Sequence, residues 1–87
     1  MAIQQIKETR NEVYVLRDVD RNTTVGVYTS KKMVEDGVKS YLIHLGSDLV
    51  LNKFRDELEE LLRELIKYGN TEDSWEYFSM ETFIINQ

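Results

Sequence analysis

The sequence predicts an α+β domain: a small antiparallel three-stranded sheet, in the order β-β-α-α-β, with two helices packed on one face. Three observations predict it. Two β-branched and aromatic runs, EVYVLRD at 12–18 and TTVGVYT at 23–29, are joined by a short polar turn. A long middle segment then carries apolar residues at spacings of three and four. A third run of strand composition, WEYFSMETFIIN at 75–86, closes the chain.

In the first run, Val13, Val15 and Arg17 point one way and Tyr14, Leu16 and Asp18 the other. Both sets are mostly apolar, which predicts a central strand. Val19 to Asn22 is a turn, so the second run folds back as an antiparallel hairpin. There Val25 and Val27 are expected on one face and Tyr28 on the other. Gly26 has no side chain, which invites a close approach to its backbone.

Ser30 is positioned as the N-cap of a first helix. Val34, Val38, Tyr41, Leu42 and Leu45 form its apolar face, with Ile43 on the opposite side. Gly37 weakens that helix by roughly 1 kcal/mol relative to Ala and suggests a close contact with the hairpin. Gly46 stops the first helix and Ser47 caps the second. The second helix is the clearest signal in the chain: Leu51, Phe54, Leu58, Leu61, Leu65 and Tyr68, widened by Leu62 and Ile66, with Gly69-Asn70 as its stop. The last strand is expected from Trp75 to Asn86, with a bulge or bend near Ser79 to Thr82. A right-handed crossover places it beside the first strand, in the order 2-1-3. Residues 1–10 read either as a flexible arm or as a short helical turn.

A chain of 87 residues makes one domain with a limited core, so association with a second copy is open to it. The hydrophobic fraction of 41% and charged fraction of 31% are those of a globular domain. With no cysteine there is neither a disulfide framework nor thiolate chemistry, which fits a reducing cytoplasm. The polar opening MAIQQIKETRNE does not read as a signal peptide, and no apolar run approaches the length of a membrane span. The net charge of −5 is unevenly distributed: residues 1–47 hold seven Lys/Arg and six Asp/Glu, residues 48–87 four and ten. An acidic second half argues against duplex nucleic acid and favours a basic partner.

The segment Val13 to Lys32, VYVLRDVDRNTTVGVYTSKK, followed by a helix and then by YFSMETFIIN, resembles a loose family of small uncharacterised phage, prophage and Firmicutes proteins. Its members share a strand, a turn, a GVYxS-type second strand running into a helix, and a short final strand. Gly26-Val27-Tyr28-Thr29-Ser30 carries the most specific match; the long two-helix segment is a departure. The resemblance implies the fold and a phage or mobile-element setting. It supplies no activity and no catalytic residues.

Asp18-Val19-Asp20-Arg21-Asn22 begins like a calcium loop, but Thr23 stands where glycine is required and Thr29 where the bidentate glutamate belongs. Turn formation accounts for these residues better. His44, the single histidine, has no second histidine or cysteine to join it on a metal, and reads as the edge of an apolar stripe. Glu59, Glu60 and Glu64 lie on an exposed helix side, where nothing raises a carboxyl pKa for acid–base work. Trp75, Tyr77, Phe78 and Phe83 could stack on bases, but sheet core or a protein interface suits their acidic setting better.

The chain therefore reads as a non-catalytic protein-binding domain without cofactor or metal. In the phage setting it is an accessory protein that engages or inhibits a host factor in the host cytoplasm. The acidic helix face of Asp56, Glu57, Glu59, Glu60 and Glu64 is the expected contact with a basic protein surface. Two alternatives stand beside it. One is a structural module that forms a homodimer through the seam Leu51–Phe54–Leu58–Leu61–Leu65–Tyr68. The other is a sponge-type protein holding a small ligand between hairpin and helices.

Overall fold

Alternation in the first strand is what organises the sheet. In the computed structural model, which describes residues 11–47 and 55–85, β1 (Asn11–Asp18) buries Tyr14, Leu16 and Asp18, while Val13, Val15 and Arg17 are half-buried on the other face. It is the central strand, paired antiparallel to β2 (Thr23–Tyr28) on one side and β3 (Phe78–Ile85) on the other, in the order β2-β1-β3. The turn between β1 and β2 is fastened from the outer face. Arg17 donates to Asn22 Oδ1 at 2.6 Å and to Thr24 Oγ1 at 3.1 Å, and Asn22 takes the left-handed conformation with φ 52°.

One face assignment in β2 is corrected. Leu16 lies opposite Gly26 but Arg17 lies opposite Thr24, so Val25 is an extra residue in the ladder. This bulge turns Val25 toward the helices, where it packs against the core, and leaves Val27 61% exposed. The two valines do not share a face. Local composition carries no mark of such a slip, because it is a property of the pairing.

Both helices cover the face that holds Tyr14 and Leu16. Helix α1 (Lys31–Leu45) begins as expected: Ser30 Oγ accepts from Met33 N–H at 3.1 Å. It ends at Gly46 with φ 72°, where the Gly46 and Ser47 amides donate to the carbonyls of Ile43 and Leu42. Val34, Val38 and Leu42 are fully buried, Tyr41 half-buried, and Ile43 exposed. Leu45, expected on the apolar face, is 37% exposed in the last turn.

The two glycines singled out in the sequence meet through one side chain. The Tyr28 ring lies between β2 and α1. A methyl group added at Gly26 would stand 2.7 Å from its Cζ, and one added at Gly37 2.5 Å. The helix thus gives up propensity at Gly37 so that an aromatic ring can pass between the layers.

Helix α2 (Arg55–Tyr68) buries Leu61, Leu62 and Leu65, with Leu58 and Ile66 packed at the margin. It touches β3 and α1 together, as a broad apolar stripe allows. Fully burying one leucine contributes about 1.5–3 kcal/mol, whereas a like-charge pair at i,i+4 costs a few tenths. The apolar side therefore holds the helix and the acidic side is tolerated. Tyr68, expected in the stripe, is 65% exposed, with the Lys67 ammonium 5.3 Å from its ring centre. Gly69, at φ 81°, ends the helix. Ser47 is described, but residues 48–54, which hold the first turn it is expected to cap and the seam residues Leu51 and Phe54, lie outside the described residues.

The third strand is shorter than expected. β3 starts at Phe78, and its register with β1 runs without a break from Asp18–Phe78 to Asn11–Ile85, so the bend expected near Ser79 to Thr82 is absent. Trp75 to Tyr77 belong to the preceding loop. The cause is Thr71, which is fully buried. Its hydroxyl donates to the Glu76 carbonyl at 2.5 Å and accepts from Phe78 N–H at 2.8 Å, closing residues 71–78 into a turn before pairing can begin. The loop also borders the outer edge of β3, through Met80 N–H to Gly69 O and Thr71 N–H to Phe78 O.

Candidate functional site

With Leu58, Leu61, Leu62 and Leu65 turned inward, helical geometry places Asp56, Glu57, Glu60 and Glu64 beside the 71–77 loop. Together with Asp73, Ser74 and Trp75 they line a groove of about 320 Å³. Of the five acidic residues expected on one face, four therefore share this groove. Glu59 does not. It lies in a separate groove between the helices, of about 510 Å³, with Glu35, Lys39, Arg63 and Lys67, where charges of both signs are mixed.

The groove is asymmetric in charge. Among the described residues, five carboxylates line it and no Lys or Arg does. The nearest cation among the described ion pairs is Arg63, whose guanidinium stands 3.9 Å from Glu60 on the exposed surface. Pairs such as that contribute between nothing and about 1 kcal/mol. Glu64 differs from its neighbours. It is half-buried and accepts a hydrogen bond from Ser74 Oγ at 2.8 Å, which ties the loop to the helix. Asn70 Oδ1 accepts from Glu72 N–H at 3.3 Å and Thr71 O from Ser74 N–H at 3.0 Å, so the loop is bonded along its length. Trp75 rises from it 57% exposed. On its other side is a second groove of about 300 Å³, lined by Arg21, Leu45, Gly46, Ser47 and Glu76.

Sequence reasoning missed Asp73 and Trp75 as part of this surface, because Trp75 was assigned to a strand. The signal available was Gly69-Asn70 followed by Glu72-Asp73-Ser74, a run of turn formers that runs up to the aromatic residues.

Asp18 explains the calcium-like motif. Its carboxylate is buried and accepts from Tyr41 Oη at 2.7 Å, Arg21 Nη1 at 2.8 Å and Arg21 N–H at 3.2 Å. Burial pushes its pKa up, but the hydrogen bonds from Tyr41 and Arg21 outweigh it and hold the carboxyl below its ordinary value. Burial and the same carboxylate raise the Tyr41 phenol. Arg21 also reaches Glu76 at 3.5 Å. The cluster binds β1, the turn, α1 and the loop to one another. Among the described residues no group of three or more His, Cys, Asp or Glu is placed to hold a metal ion.

The remaining candidates separate in space. His44 is exposed in the last turn of α1. Of the aromatic set, Phe78 is core, Tyr77 is half-buried, Phe83 lies half-exposed opposite Val13 in the sheet, and Trp75 stands on the loop. They do not make one stacking platform. Leu61 and Leu65 of the dimer seam are buried beneath the sheet. A fourth groove, about 530 Å³, opens between β2 and α1, with Val25, Tyr28, Met33 and Tyr41 on its walls. Its carboxylate, Asp36, is bonded to Lys32 at 3.1 Å. Among the described residues no helix is long and apolar enough to cross a membrane. No protein-family model, no curated protein and no solved structure matches the chain.

Proposed function

We propose that the protein is a non-catalytic binding domain that engages a basic protein surface through the groove between α2 and the 71–77 loop. The observation that supports this reading is the lining: Asp56, Glu57, Glu60, Glu64 and Asp73, with no Lys or Arg among the described lining residues. Asp56–Glu60 and Glu60–Glu64 are like-charged at i,i+4, which works against the helix. A chain retains such an arrangement at little cost to the fold, and it raises both the rate and the specificity of meeting a cationic partner. The phage resemblance read in the sequence makes that partner a bacterial host factor, met in the host cytoplasm, and makes the protein an accessory or inhibitor.

The test is capture from bacterial lysate with the wild-type protein and with Asp56, Glu57 and Glu60 together replaced by Lys. Glu64 is left intact because it anchors the loop. A partner held by the wild type, released by salt and not held by the variant, is the expected result. Equal capture by both proteins, insensitive to salt, would refute the reading. The small-ligand alternative has the groove between β2 and α1 in its favour, since its volume falls in the range of ligand pockets. A melting temperature that rises with a small metabolite and drops back when Val25 or Met33 is replaced by a bulky charged residue would favour it.

A further inference from the structure

We infer that the uncovered end of β3, residues 82–85, is a homodimer edge. It pairs antiparallel with the same segment of a second copy and joins two three-stranded sheets into one. The inference is independent of the acidic groove.

Coverage of β3 changes along its length. Phe78 is fully buried, whereas every residue from Glu81 to Ile85 is exposed. Phe83, on the face away from the helices, is 50% exposed; Ile84, on the opposite face, is 45% exposed. The two edges of the sheet are protected unequally. The β2 edge is broken by the bulge at Val25, which deters pairing. The β3 edge is covered by the 69–71 loop only as far as Met80, whose N–H points out of the sheet to Gly69 O at 2.8 Å. Peptide groups alternate in direction along a strand, so Thr82 and Ile84 present N–H and C=O on that same outer side. Among the described residues nothing pairs with them there. An open edge flanked by exposed β-branched and aromatic side chains is a template for another strand.

Self-complementarity selects the occupant. Under a two-fold axis through Phe83, Thr82 faces Ile84 of the second copy and Ile84 faces Thr82, each pair exchanging both backbone hydrogen bonds. Phe83 then faces its own copy at the close, non-hydrogen-bonded spacing of about 4.5 Å, where aromatic pairs stabilise a sheet. Glu81 falls opposite Ile85, so no two carboxylates meet across the junction. Residues 82–85 carry no charge that would select a segment of different sequence. An edge of this length with its flanking side chains buries on the order of 1,000 Å² over both copies, the lower limit of a specific interface. A dimer of micromolar strength is expected.

The test is sedimentation equilibrium of the full chain, from low micromolar to several hundred micromolar. The expected result is a monomer–dimer equilibrium that stops at the dimer, because a two-fold edge closes on itself. Ile84→Lys puts a charge on the edge and weakens dimerisation about tenfold or more. Its melting temperature in dilute solution stays near that of the wild type, because the side chain it replaces is exposed. A cross-link carries the comparison if the lysine variant melts early. The chain has no cysteine, so Phe83→Cys supplies a single thiol. Treated with oxidised glutathione it gives a covalent dimer, since facing residues of a non-hydrogen-bonded pair stand within disulfide reach. Ile43→Cys, at an exposed position on α1, gives far less. A wild type that stays monomeric over the whole range overturns the inference. Dimerisation undiminished by Ile84→Lys, or equal cross-linking of the two cysteine variants, overturns it by placing the contact elsewhere. Species that keep growing past the dimer overturn the closed two-fold pairing.

Discussion

Asp18, at the end of the central strand, and Glu60, on the outer side of α2, carry the same functional group into opposite surroundings. Asp18 is buried and accepts three hydrogen bonds from two residues. Glu60 is exposed, has one distant guanidinium at 3.9 Å, and shares a groove with four other carboxylates. The contrast separates two uses of acidic side chains within a single domain. Where a carboxylate is saturated by donors from several elements, it holds the fold and has nothing left to offer a ligand. Where carboxylates crowd together and no described Lys or Arg lines the space between them, the fold gains little from them. Glu64 falls between the two, half-buried and holding one hydroxyl.

The largest effect expected from this contrast is at Asp18. Asp18→Ala removes the acceptor for Tyr41 and for both Arg21 donors, and should cost about 2–4 kcal/mol in denaturant unfolding. A change under about 0.5 kcal/mol would mean that the network is ornamental and would break the comparison. Acid titration sharpens the same point. The Asp18 pKa is lowered in the folded state, by hydrogen bonds that outweigh burial. Its contribution is therefore fully present above the unfolded carboxyl value of about 3.9 and is lost as pH falls through the lower folded value. The wild-type melting temperature should fall through that window more steeply than that of Asp18→Asn, measured by calorimetry; parallel curves would contradict the assignment.

A middling effect is expected at Glu64. Glu64→Ala breaks the bond from Ser74 and should cost about 1 kcal/mol. It should also alter Trp75 emission in the absence of any ligand, because the loop loses its tie to α2. Stability lost with no spectral change would place the effect in the helix alone. The smallest effect belongs to Glu60. Glu60→Gln relieves repulsion from Asp56 and Glu64 while losing a weak contact with Arg63, so stability should move by less than about 0.5 kcal/mol in either direction. A larger loss would show that the groove carboxylates are structural after all, and that Glu60 belongs with Asp18.

Much of the fold was legible because it is written in local periodicity. Apolar residues on both faces of EVYVLRD identified a central strand, Ser30 and Gly46 bracketed α1, and the stripe through Leu58, Leu61 and Leu65 identified the helix beneath the sheet. Strand order followed from the handedness of crossovers. Gly26 and Gly37 each signalled a close approach, but only the packed structure shows that both approaches are to one ring, Tyr28. The candidate site was half legible. The acidic residues of α2 could be listed, but a list does not say which of them face a common space.

By itself the sequence determined the class of domain, the limits of α1, the apolar face of α2 and its acidic reverse, because helix and strand periods and caps act over a few residues. Tertiary structure decided the rest. It placed Val25 in a bulge, since register is settled between strands and not along one. It held Trp75 out of β3, since the buried Thr71 hydroxyl closes the loop across seven positions. It divided Glu59 from Glu60, adjacent in the chain, between two grooves, since which side of a helix faces a loop depends on what the other side buries.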